Sequence, residues 1–170
     1  MFNPKYIFDQ LEINKSLFEN LFSGISDDLI LFQPGDGKWC LLEIICHLSD
    51  EEREDFRARL QHVLNSPEAL LPSIDPQAWV KSRDYIHQDF QIVLANFLEE
   101  RKRSVDWLRS LENPDWNRYY QHPKFGPMSA KLFLSNWLAH DFLHIRQILF
   151  TKHVFLGKMT GENLKYAGEW

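Results

Sequence analysis

Apolar residues recur at helical spacing in four long stretches of the chain, with few breakers inside them. The first, Pro4 to Phe22, aligns Ile7, Leu11, Asn14, Leu17, Phe18 and Leu21 on one face; Pro4 suits a first turn and Gly24 a stop. A short turn follows from Ser26 to Phe32, with Asp27 and Asp28 where a helix start favours negative charge. Gln33 to Lys38 is a loop by its Pro and Gly content. The second stretch runs from Cys40 to about Asn65, its stripe formed by Leu41, Ile44, Ile45, Leu48, Phe56, Leu60, Val63 and Leu64. Its later half, Asp50 to Arg59, is charge-dense and is expected to be solvated on its outer side. The third runs from about Gln88 to Leu111, and the fourth from Ser129 to about Lys152.

Two long connections separate these stretches. Ser66 to Arg83 contains three prolines, and a loop of that length is expected to serve as a lid or pocket wall. Asn113 to Pro127 is the other, with Trp116, Tyr119 and Tyr120 expected to tuck against the helices. No segment shows clear strand alternation. The pattern predicts an all-α four-helix bundle with long connecting loops, folded as one domain over residues 1–170. The connections exceed what an up-and-down bundle requires, so a more elaborate connectivity stays open.

Composition narrows the function classes. The 13 Phe and 6 Trp suggest a well-filled interior, and the net charge of -5 with scattered Lys and Arg leaves no footprint for nucleic acid. Cys40 and Cys46 are too close in sequence to staple distant parts of the chain. Together with the absence of a secretory leader pattern and of an apolar run long enough to span a membrane, they predict a cytoplasmic protein.

The chemistry concentrates in Asn136-Trp137-Leu138-Ala139-His140-Asp141-Phe142-Leu143-His144-Ile145-Arg146-Gln147. On a helix, His140 and His144 lie one turn apart on a face shared with Asn136 and Gln147. Such a pair can present two ring nitrogens to one cation, or it can be a pair of hydrogen-bonded core histidines. The best third ligand is His47, centred in an apolar helical segment. His62 falls near a charged helix end, His87 in a polar stretch, His122 in a loop beside Pro123, and His153 beyond the last apolar turn. Three neutral imidazoles leave open positions on a divalent ion, which is the catalytic pattern. Asp50 and Glu51 follow His47 by three and four positions, so each reads as a base, as an orienting group, or as a solvated charge. Gln147 reads as a partner of His144 or as an interhelical hydrogen bond. Asp141 points away from the metal face and reads as structural.

The segments Gly37-Lys38-Trp39-Cys40-Leu41-Leu42-Glu43-Ile44-Ile45-Cys46-His47-Leu48, Phe125-Gly126-Pro127-Met128-Ser129 with the His140–His144 helix, and Lys165-Tyr166-Ala167-Gly168-Glu169-Trp170 together resemble the DinB-like superfamily of four-helix metal-binding proteins. The family's metal triad carries over onto His47, His140 and His144. Cys40 departs from the Ser or Thr of many relatives and reads as a weaker helix cap, by about 1 kcal/mol. The resemblance implies a divalent metal ion, often zinc or nickel. It also implies chemistry on a small-molecule substrate, best known as transfer of a low-molecular-weight thiol such as bacillithiol or mycothiol to an electrophile. The same site is compatible with a hydrolase that activates water, and with a non-catalytic, stress-linked metal- or ligand-binding bundle. By the same resemblance the chain is expected to form a homodimer.

Overall fold

The computed structural model describes residues 2–168; Met1 and the end of the tail segment, Glu169 and Trp170, lie outside the described residues. The four expected long helices are present. α1 spans Pro4–Phe22, with Asn3 as its N-cap accepting from the Tyr6 amide. A single turn, α2 (Asp27–Ile30), is capped by Ser26. The second long helix is α3 (Leu41–Asp50), a π-helical segment (Glu51–Arg57) and α4 (Ala58–Asn65) in unbroken succession. At its start the Cys40 amide donates to the Glu43 carboxylate at 2.9 Å, as in a capping box whose N-cap carries a thiol in place of a hydroxyl.

The proline-rich connection is more ordered than its composition implies. It carries α5 (Pro76–Ser82), with Asp75 as N-cap and Pro76 in the first turn. The third long helix is α6 (Phe90–Ser110), capped by Asp89. The second connection contains a small antiparallel hairpin that the apolar pattern did not reveal: β1 (Tyr119–His122) pairs with β2 (Gly126–Ser129), Tyr120 opposite Met128. Each strand is too short to show a repeating alternation. α7 (Ala130–Thr160) continues well past Lys152 and stops at Gly161, whose φ of 72° is a left-handed cap that glycine adopts freely.

α1 packs between α6 and α7, and the α3–α4 helix packs against the same two. The first and second long helices are therefore diagonal partners, which differs from an up-and-down ring and accounts for the long connections. Two apolar clusters fill the interior. One gathers Phe18, Phe22, Ile44, Ile45, Leu48, Phe97 and Ile148; the other Leu11, Leu60, Val63, Leu108, Leu134 and Trp137. Along every long helix the positions between them are polar. Asn14, His47, Glu51, Glu52, Arg101, Asp141 and His144 are all buried there. The bundle is thus two dry halves joined by a polar layer, and the histidines belong to that layer.

Candidate metal centre

His47 projects from α3, and His140 and His144 from successive turns of α7. Nε2 of His140 lies 3.3 Å from Nε2 of His47 and 3.0 Å from Nε2 of His144. Ligand atoms around a tetrahedral ion with bonds of 2.0–2.1 Å are roughly 3.3 Å apart. The three rings therefore fit one shared cation, and the three histidines form a group able to hold a metal ion. Hydrogen bonding supports that fit. His144 donates from Nδ1 to the Gln147 carbonyl oxygen at 2.8 Å, which leaves the Nε2 lone pair facing its neighbours. With all three rings in that tautomer, the converging lone pairs would repel without a cation between them. His47 Nδ1 is buried without a hydrogen-bond partner among the described residues, and its ring packs on the Trp39 indole, 4.8 Å away between centroids.

Burial keeps the imidazoles neutral. It lowers His47 to about 3, with the charge of His144 adding to the effect. It lowers His140 to about 2, again with its two histidine neighbours contributing. His144 is also lowered, chiefly by burial and against the pull of its bond to Gln147. Neutral imidazole is the ligating form, so the donor set is ready for a metal near neutral pH.

A cavity of about 630 Å³ opens over the rings, lined also by Lys38, Trp39, Glu51, Asp55, Gln77 and Gln147. Pro76 and Gln77 come from the start of α5, so the long connection does form a pocket wall. Glu51 Oε2 is 4.0 Å from His140 Nε2. Burial raises the Glu51 carboxyl to about 8, and the neighbouring Asp55, to which it hydrogen-bonds, pushes in the same direction. Asp55 is itself raised by burial, opposed by its ion pair with Arg59. Asp55 was passed over in the sequence as part of a charged, solvated run. Its signal was spacing: His47, Glu51 and Asp55 follow one another at intervals of four along one helix.

Asp50 is corrected by the structure. It does not line the histidine cavity but a separate one of about 570 Å³, shared with Cys46, Arg83 and Tyr85. There it accepts from the Tyr85 hydroxyl at 2.7 Å and pairs with Arg83 at 2.8 Å. A one-residue step on a helix turns a side chain by about 100°, which separates Asp50 from Glu51. Asn136, expected to share the histidine face, is exposed and donates to the Leu132 carbonyl of its own helix. His122 caps the hairpin turn by accepting from the Lys124 and Phe125 amides and lines a different cavity. Trp79 carries the Arg83 guanidinium on its ring, a packing role.

Asp141 is structural, as expected, and it anchors a network that no sequence spacing announces. Both its oxygens accept from the Arg101 guanidinium at 2.7 Å, and Asn14 donates to it at 2.9 Å. Arg101 also donates to Glu52, whose other oxygen accepts from the Trp137 indole. Arg101, Glu52 and Asp141 are each at most 1% exposed. The network grips the residue after His140 and the residue after Glu51, and so sets the distance between α7 and the π segment.

The structure resembles that of YfiT from Bacillus subtilis, described as a probable metal-dependent hydrolase with an unusual four-helix bundle topology. The TM-score is 0.77 at 19% sequence identity, over 94% of this chain and 89% of that one. No curated protein matches the sequence. The sequence profile of the DinB superfamily matches residues 10–148. With its diagonal four-helix bundle and its three converging histidines, the chain belongs to the DinB superfamily.

Proposed function

We propose that His47, His140 and His144 hold one divalent metal ion, zinc or nickel, and that the cavity over them is the active site of an enzyme acting on small molecules. When bound, such an ion supplies a Lewis acid that acidifies a thiol or water at its open position. The reading rests on one observation: the buried His47 and His144 and the half-buried His140 converge, with His140 Nε2 3.3 and 3.0 Å from the other two, beside a carboxyl raised to about 8.

The reaction proposed first is transfer of a low-molecular-weight thiol to an electrophile. Glu51 and Asp55 lie where a nucleophile facing the histidines would shed its proton, and a carboxyl poised near 8 exchanges that proton close to neutral pH. The sulfur then forms the new bond to the electrophilic carbon, and the leaving group departs with its electron pair. Trp39, Pro76 and Gln77 help wall the cavity. Space favours a two-substrate reaction: the cavity of about 630 Å³ adjoins another of about 490 Å³, and the two share Lys38 and Gln147.

Hydrolysis is the second reading, favoured by the likeness to the Bacillus subtilis protein and its description. The same carboxyl pair would take a proton from water instead. Metal-loaded protein offered an electrophile with and without bacillithiol separates the two. Turnover only with thiol supports transfer, turnover without thiol supports hydrolysis, and no turnover of any electrophile or ester refutes both.

A further inference from the structure

The adjoining cavity is lined by Pro34, Lys38, Leu143, Arg146, Gln147 and Phe150. Its chemistry differs from that of the histidine cavity. The histidine cavity holds the imidazoles and two carboxyl groups; Lys38 stands where the two cavities meet, and Arg146 lines the adjoining one beside Leu143. Among the described residues neither cationic side chain has a partner. Every other arginine among the described residues pairs with a carboxylate or donates to a backbone carbonyl, whereas the Arg146 side chain has no partner. Lys38 is bonded only through its backbone amide, to the Gly35 carbonyl. Leu143, beside Arg146, is 55% exposed. Gln147 joins the two cavities: its side-chain carbonyl oxygen holds His144, and its amide N–H groups have no acceptor among the described residues.

In a protein of net charge -5, two unneutralised cations on one groove wall are a local reversal of sign. A guanidinium and an ammonium beside a free amide donor match a carboxylate, and Leu143 and Pro34 match a short aliphatic segment. We infer that Lys38 and Arg146 form a carboxylate-recognising subsite, and that the small molecule taken by the site is an organic acid whose reactive end lies at the histidines. This specificity rests on the proposed metal-dependent function for its reactive end, but the subsite itself can be read without metal.

The experiment therefore has two arms. In the first, metal-free protein is titrated calorimetrically with hexanoate and with hexanamide. We expect hexanoate to bind at least 10-fold more tightly, the preference to shrink with rising ionic strength, and the double variant Lys38→Ala, Arg146→Ala to lose it. Equal binding of acid and amide, or a preference that survives the double substitution, overturns the subsite. In the second arm, cobalt(II)-loaded protein is titrated with 3-mercaptopropionate and 3-mercaptopropanamide, read by sulfur-to-metal charge-transfer absorption. A 10-fold preference for the acid that the double variant abolishes is expected; equal affinities overturn the inference. Failure of both thiols to produce the band, with the hexanoate preference intact, refutes the metal reading and leaves the subsite standing. Both substituted residues are exposed, so the variant is expected to retain the fold.

Discussion

Glu51 and Asp50 are neighbours with opposite surroundings. Glu51 is 5% exposed, faces the imidazoles and leans on Asp55; Asp50 turns to Arg83 and Tyr85. Replacing Glu51 by Gln removes the exchangeable proton and keeps the shape. The expected loss in kcat is roughly 10²- to 10⁴-fold, with metal content unchanged when measured by mass spectrometry. Asp50→Asn is expected to change kcat by no more than a few-fold. Equal losses in the two variants would contradict the assignment. At this scale the three histidines were legible because each sits at a helical position among apolar residues, where an imidazole stands out. The roles of the two carboxylates were not, because adjacent residues are distinguished only by the direction each takes from the helix.

The second long helix carries most of what the apolar pattern concealed. A π segment keeps the amphipathic rhythm of a helix, and its wider turns, frequent at functional sites, leave little trace in the spacing of Leu48, Phe56 and Leu60. Its charge density suggested a solvated face, yet Glu51 and Glu52 are buried, and Arg101 reaches Glu52 from α6. Truncating Arg101 to Met strands two buried carboxylates, so a loss of about 3 to 5 kcal/mol is expected in denaturant unfolding. A loss below 1 kcal/mol would show that the network is not what holds α6, α7 and the π segment in register. The same segment holds the pocket wall through Glu54, which accepts from Arg83 beyond α5 at 2.7 and 2.8 Å. Hydrogen bonding to Arg83 lowers the Glu54 carboxyl to about 2, below its ordinary 4.5. Its stabilising effect is therefore complete above 4.5 and is lost as the pH falls through 2, because the unfolded chain takes up the proton first. The stability advantage of wild type over Glu54→Gln is expected to shrink between pH 5 and pH 2.5. An advantage that is flat or grows on acidification would contradict the pairing.

The whole molecule places a polar layer between two dry halves, and the three histidines belong to that layer. The helical bundle and the helix faces that carry the three histidines were readable from long helical periodicity. The diagonal order of the helices was not, because helix patterns specify which faces are buried and not which helices meet. A buried site of this kind couples metal binding to folding. Ligand present at a thousand times its dissociation constant stabilises the folded state by about 4.1 kcal/mol, which for a chain of this size corresponds to roughly 8 to 16 °C in Tm.

The most direct test of the central claim is metal content and thermal midpoint, measured together on wild type and His140→Ala purified without chelator. We expect close to one divalent ion per wild-type chain, a fall in Tm of that order when a chelator removes it, and neither bound metal nor chelator response in His140→Ala. Wild-type protein that carries no metal when offered zinc or nickel, or a chelator shift that persists in His140→Ala, would contradict the account.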